Sequence, residues 1–196
     1  MTMKSICVYC GAYFNDDPVL LAAVQNLAEA MTSRNIKLVY GGGSVGVMGL
    51  IAGEVLKRDG YVTGVIPQFL LDLEVGNMEV NELIVTANMH ERKQKMADLA
   101  DGFVILPGGY GTLEEFFEVL TWLQLGLHQK AIGILNVGGY YDHLLAQLDT
   151  MVAQGMLKQT NRDLVQASDD PELLIELMHA FRAEKDENWF KDRNLS

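Results

Sequence analysis

Short apolar runs alternate with amphipathic stretches of helical length along the chain, and this alternation restricts the fold more than any other feature. "SICVYC" (5–10) precedes "PVLLAAVQNLAEAMTSR", and "KLVY" (37–40) precedes a glycine loop and "VGVMGLIAGEVLKRDG". "YVTGVIP" opens a longer loop, "LIVT" leads into "NMHERKQKMADLAD", and "FVILP" leads into "TLEEFFEVLTWLQLG". "AIGILN" is followed by "YYDHLLAQLDTMVAQG", then "LVQAS" and "PELLIELMHAFRAE". Strands separated by helices need crossover connections, which give a parallel sheet covered on both faces. The expectation is one doubly wound α/β domain over residues 1–184, with a polar tail over 185–196. The stretch 68–81 reads as its longest irregular segment.

The 196 residues are 49% hydrophobic, enough for a single packed core. No run is long enough to span a membrane, and "MTMKSICVYC" has no signal-peptide plan. A formal net charge of -11 argues against nucleic acid or an anionic membrane surface as the main partner. A small anion stays possible, because a local basic cluster can outweigh a distant field. Cys7 and Cys10 straddle the end of an apolar run. Their odd offset puts them on opposite faces of a strand, as two core-type thiols rather than a redox pair. Without an export signal they suit a reducing, cytoplasmic setting. The histidines at 90, 128, 143 and 179 have no metal-ligand spacing.

Two glycine-rich loops follow expected strands. In open parallel sheets ligands bind beyond the carboxyl ends of the strands, so both loops belong to one edge. "YGGGSVGVMG" contains G-x-G-x-x-G at Gly41, Gly43 and Gly46. It follows the second strand, and the next strand ends "VTGVIP" without the acid that would hold an NAD ribose. A phosphate loop for a smaller nucleotide suits it better, and close helix–strand packing is the plainer alternative. "LPGGYGTLEE" (106–115) also looks built for an anion, yet Glu114 and Glu115 follow at once. Thr112-x-x-Glu115 has the spacing of a capping box, which would explain Glu115 without chemistry. Glu114 reads as a solvated or supporting charge.

"NMHERKQKM" sets Arg92, Lys93 and Lys95 against Glu91. On a helix Arg92 and Lys93 are about 100° apart, so both can rim one mouth. Lys95 fits a solvated face. The guanidinium fork of Arg92 suits a phosphate or carboxylate. One kind of ligand reconciles these loops with the carboxylates. A nucleoside 5′-monophosphate carries an anion at one end and develops positive charge on its sugar as the N-glycosidic bond breaks.

"MHERK" (89–93) followed by "PGGYGTLEE" (107–115) resembles the LOG family, the cytokinin riboside 5′-monophosphate phosphoribohydrolases, whose motif is P-G-G-x-G-T-x-x-E. The resemblance runs from "CVYCG" through "YGGG" and "TWLQLG" to "NVGGYYDHLL". It implies a Rossmann-like homodimer, without metal or cofactor, that releases a free adenine-type base from its ribose 5-phosphate. The paired catalytic residues it implies are Arg92 and Glu115. Substrate contacts fall on Glu74, Arg92, Lys93, Gly109, Tyr110, Gly111, Thr112, Leu113, Glu114, Glu115 and Thr121, with Gly42 and Gly43 as phosphate neighbours. Where relatives commonly carry serines after the first strand, this chain has Gly11-Ala12-Tyr13. Where they often carry an aspartate before "MH", it has Asn88.

Other readings use the same residues. One is a broader AMP or nucleoside 5′-monophosphate nucleosidase. Another is a nucleotide-binding module without chemistry. A third, a pyridoxal-phosphate decarboxylase, needs a Schiff-base lysine, for which only Lys93 is in the motifs. The stripe Phe116, Leu120, Leu123 and Leu127, with Trp122 beside it, offers a dimer surface.

Overall fold

The computed structural model describes residues 3–73 and 76–183. The strands are β1 (Ser5–Tyr9), β2 (Lys37–Tyr40), β3 (Val62–Pro67), β4 (Glu82–Thr86), β5 (Gly102–Ile105), β6 (Ala131–Leu135) and β7 (Val165–Ser168). The helices are α1 (Pro18–Thr32), α2 (Gly46–Leu56), α3 (Gln68–Leu71), α4 (Met89–Leu99), α5 (Tyr110–Gln124), α6 (Asp142–Ala153), α7 (Gln159–Arg162) and α8 (Pro171–Ala180). The one-turn helices α3 and α7 lie outside the apolar periodicity. Thus the segment 68–81 opens with a helical turn instead of being wholly irregular. The expected tail lies outside the described residues.

All seven strands form one parallel sheet, in the order β4-β3-β2-β1-β5-β6-β7. The order reverses between β1 and β5, so a crevice opens beyond their carboxyl ends. Val8 is level with Tyr40, and Tyr9 with Ile105. The loops after β1, β2 and β5 therefore leave the sheet together.

Strand alternation feeds two cores. On one face Ile6, Val8, Leu38 and Val104 pack against α1, α2 and α8. On the other, Val39, Val65, Phe103 and Ile132 pack against α4, α5 and α6. Cys10 belongs to the first core and Cys7 to the second, and both are buried free thiols. Burial raises both pKa values, so neither is a ready thiolate. α1 starts where Asp17 accepts from the amide of Val19 at 2.9 Å, just before Pro18. Among the described residues no helix is long and apolar enough to cross a membrane.

Candidate functional site

Arg92 is placed by a well-capped helix. The Asn88 side chain accepts from the amide of Glu91 at 2.9 Å, and the Glu91 carboxylate accepts from the amide of Ala87 at 2.8 Å. Asn88 thus starts α4 with the same type of bond an aspartate would make. One turn in, Arg92 is 7% exposed. Its Nε donates to the carbonyl of Val65 at 3.0 Å, and Nη2 donates to the carbonyl of Gly41 at 3.1 Å. A Cβ on Gly41 would fall 2.0 Å from Nη2, so this residue must be glycine for the guanidinium to enter. Gly46 likewise stands against the backbone of Ala12, where a Cβ would meet the Ala12 carbonyl carbon at 2.2 Å. Two glycines of the G-x-G-x-x-G run therefore serve close packing, and one of them makes room for a site residue.

Arg92 Nη1 reaches Glu115 Oε1 at 3.5 Å across the gap between α4 and α5. Glu115 is 9% exposed. Burial raises its pKa from 4.5 to about 7, against the opposing pull of Arg92. The capping-box explanation fails. α5 begins at Tyr110 with Gly109 as N-cap, three residues before the expected cap Thr112, and no side chain caps it. Thr112 is then inside the first turn, buried, with its hydroxyl against Gly108. Glu115 lies too far into the helix to reach the orphan amides, so its burial beside Arg92 needs another reason.

Lys93, expected to rim the mouth beside Arg92, is held by two carboxylates. Its Nζ donates to Glu114 at 2.5 Å and to Glu118 at 3.0 Å. Burial lowers its pKa, but the two carboxylates together outweigh this and leave it raised. The neighbours Arg92 and Lys93 thus meet the neighbours Glu115 and Glu114 on the facing helix. Glu114 is a structural counter-charge, which answers why carboxylates follow an anion-type loop. The expected basic cluster is correspondingly neutralised, since Lys93 has two acidic partners. An anion here must rely mainly on backbone N–H groups and the α5 N-terminus. Lys95 is exposed, as expected.

Backbone hydrogen bonds stitch the three loops together. The amide of Gly11 donates to the carbonyl of Pro107 at 3.1 Å, and that of Met48 donates to the carbonyl of Gly11 at 3.3 Å. Gly109, Tyr110 and Gly111 are exposed at the mouth, and Tyr110 is 95% exposed. Leu113 is half-buried behind them. Gly42 and Gly43 lie at the end of β2. The amide of Asn77 donates to Gly42 at 2.8 Å, and Gly43 bridges to Gly76. Glu74 lies outside the described residues, while Gly76, two positions on, is anchored to this loop. Tyr13, in the loop after β1, is 92% exposed.

Thr121 is not brought to this cluster. It is exposed, and its hydroxyl donates back to the carbonyl of Phe117 at 2.7 Å. Its position is about 16 Å along the helix axis from Tyr110 at 1.5 Å per residue. Sequence reading also missed Glu118, whose signal was available: it is one turn beyond Glu114 on the face that meets α4. Among the described residues no group of histidine, cysteine or carboxylate side chains could hold a metal.

Residues 48–178 match a family model described as possible lysine decarboxylase. A cytokinin riboside 5′-monophosphate phosphoribohydrolase of Arabidopsis thaliana is 42% identical over 183 residues, covering 93% of this chain and 80% of its own length. A probable enzyme of the same name from Oryza sativa subsp. japonica is 46% identical, covering 90% and 79%. A molybdenum cofactor binding protein from Rippkaea orientalis superposes with a TM-score of 0.69 at 23% identity, covering 92% of this chain and 98% of that one. A molybdenum cofactor carrier protein from Chlamydomonas reinhardtii gives a TM-score of 0.64 at 20% identity, covering 90% and 97%. The last two share the fold. Taken with the phosphoribohydrolase relatives over most of its length, the chain belongs to the LOG family.

Proposed function

We propose that this chain hydrolyses the N-glycosidic bond of a cytokinin riboside 5′-monophosphate, an N6-prenylated adenosine 5′-monophosphate, releasing the free base and ribose 5-phosphate. The observation that carries this reading is the buried Arg92–Glu115 pair beside an uncapped helix N-terminus. The phosphate takes the exposed amides from Gly109 to Gly111 and the dipole of α5, with Gly42 and Gly43 nearby. The sugar then lies toward Glu115. As the bond from C1′ to the base nitrogen breaks, the electron pair leaves with the base and C1′ becomes oxocarbenium-like. The Glu115 carboxylate stabilises that charge and orients the water that adds to C1′. The proton lost by the water balances the one gained by the departing base. Arg92 holds the carboxylate in place. Glu74, Lys93, Thr112, Leu113 and Glu114 are assigned to substrate or to the walls around it.

The test is the phosphate. Charge-assisted hydrogen bonds contribute about 1.5–3 kcal/mol each. Losing two of them lowers kcat/KM by at least about a hundredfold when the nucleoside replaces its monophosphate. Base release is measured for matched pairs, prenylated and unprenylated. Equal turnover of nucleoside and monophosphate sinks the reading. The same panel separates the prenylated substrate from the broader alternative, AMP itself.

The working unit we propose is a homodimer. Of the stripe expected at the dimer surface, Phe116 and Leu123 are buried in the core and Leu120 is half-buried against it, so only Leu127, 70% exposed, stays available. The exposed side of α5 instead carries Phe117 and Thr121, with Leu125 at its C-cap. Such an apolar face fits a second copy, and Thr121 would meet substrate only from there. Light scattering at working concentration is expected to give twice the chain mass, and a monomer refutes the assembly. The two reduced, buried thiols support a cytoplasmic location.

A further inference from the structure

We propose that Tyr140 is a positioning residue for phosphate recognition: its hydroxyl holds the Gly108–Gly109 peptide so that the Gly109 N–H is aimed at the substrate phosphate. The proposal rests on the phosphate cradle described above and adds a residue from outside the family motif.

The loop after β6 makes a tight knuckle. Gly138 and Gly139 have φ of 57° and 74°. Asn136 ties the knuckle down, accepting from the amide of Tyr141 at 2.7 Å and donating to Asp142 at 2.7 Å. The knuckle presents two tyrosines, packed edge to face with ring centroids 4.9 Å apart. The Tyr140 hydroxyl donates to the carbonyl of Gly108 at 2.8 Å, and the Tyr141 hydroxyl donates to the carbonyl of Leu106 at 2.8 Å. Between them, the carbonyl of Pro107 accepts from Gly11 on the other side. The carbonyl of Gly109 accepts from Leu113 within α5. Every carbonyl from Leu106 to Gly109 thus has a donor, which fixes the orientation of these four peptides.

Direction follows from peptide geometry. In a trans peptide the C=O and the next N–H point opposite ways, and the chain has no cis bond among the described residues. β6 flanks β5 on the side away from β1 and β2. Pulling the Gly108 carbonyl toward the β6 loop therefore turns the Gly109 N–H toward the crevice that holds Gly41 and Arg92. The Tyr141 hydroxyl holds the Leu106–Pro107 peptide, which has no N–H, and also meets the Gly108 backbone, so it bears on the two peptides before the Gly108–Gly109 one and not on that peptide itself. The two hydroxyls are chemically alike and their consequences differ.

The experiment compares Tyr140→Phe with Tyr141→Phe. It uses calorimetric titration with ribose 5-phosphate, steady-state kinetics on the monophosphate and thermal unfolding. Tyr140→Phe is expected to weaken ribose 5-phosphate about tenfold and raise KM similarly, with kcat within about twofold and little change in Tm, since one neutral hydrogen bond on a half-exposed ring is lost. Tyr141→Phe, on a buried ring, is expected to lower Tm while leaving ribose 5-phosphate affinity within about twofold. Unchanged affinity in Tyr140→Phe overturns the proposal, as does equal weakening in both variants. If the wild type itself binds no ribose 5-phosphate, the cradle fails and this inference fails with it, a result distinct from either.

Discussion

Glu115→Gln is expected to lower kcat for base release by about 10²–10³, the usual cost of removing one preorganised electrostatic group. α5 needs no cap from this side chain, so any earlier unfolding of the variant reports the charge lost opposite the buried Arg92, not an unwound helix start. The pH dependence strengthens the test. Activity needs the carboxylate, so kcat/KM should rise about tenfold per pH unit below the carboxyl's pKa and level off above about pH 7. Stability should run the other way. The folded pKa lies above the ordinary value of 4.5, so the native state holds this proton more tightly than the unfolded chain. Its contribution is complete below pH 4.5 and is lost as pH rises through about 7. Glu115→Gln should remove both trends. Near-normal kcat in the variant would move the catalytic carboxylate elsewhere, with Glu74 the next candidate.

Arg92→Ala is expected to cost more than about 10³ in kcat/KM together with about 3 kcal/mol of stability, because breaking a buried ion pair leaves its partners uncompensated. Three oxygen acceptors lose their donor at once: the carbonyls of Val65 and Gly41 and the carboxylate of Glu115. Glu115 also loses the cation that opposes its burial, so its pKa climbs further and the ionised fraction at neutral pH falls. Arg92→Lys should recover part of the stability and little of the rate. One ammonium cannot reproduce a planar fork that meets acceptors in three directions. Wild-type kcat/KM in Arg92→Lys would show that a point charge suffices there. Kinetics and thermal unfolding on the same preparations separate the two losses.

The amino-acid sequence by itself determined the fold class, the two faces of the first strand and the edge where the glycine loops gather. Those features follow from local periodicity, which repeats within a few residues and is set by strand and helix geometry. The family motif also marked Arg92 and Glu115. Tertiary structure decided what those residues do. Glu115 at a capping-box spacing looked like a helix start until Gly109 proved to be the N-cap. Lys93 looked like a rim cation for the ligand mouth until α5 brought Glu114 and Glu118 against it from 21 and 25 residues away. Tyr140 lies in the "NVGGYYDHLL" stretch, but its contact had no local signal, since its partner is the carbonyl of Gly108, 32 residues earlier, and every residue type offers a carbonyl. Partner choice between helices depends on crossover connections and sheet order, and a single chain's local pattern encodes neither.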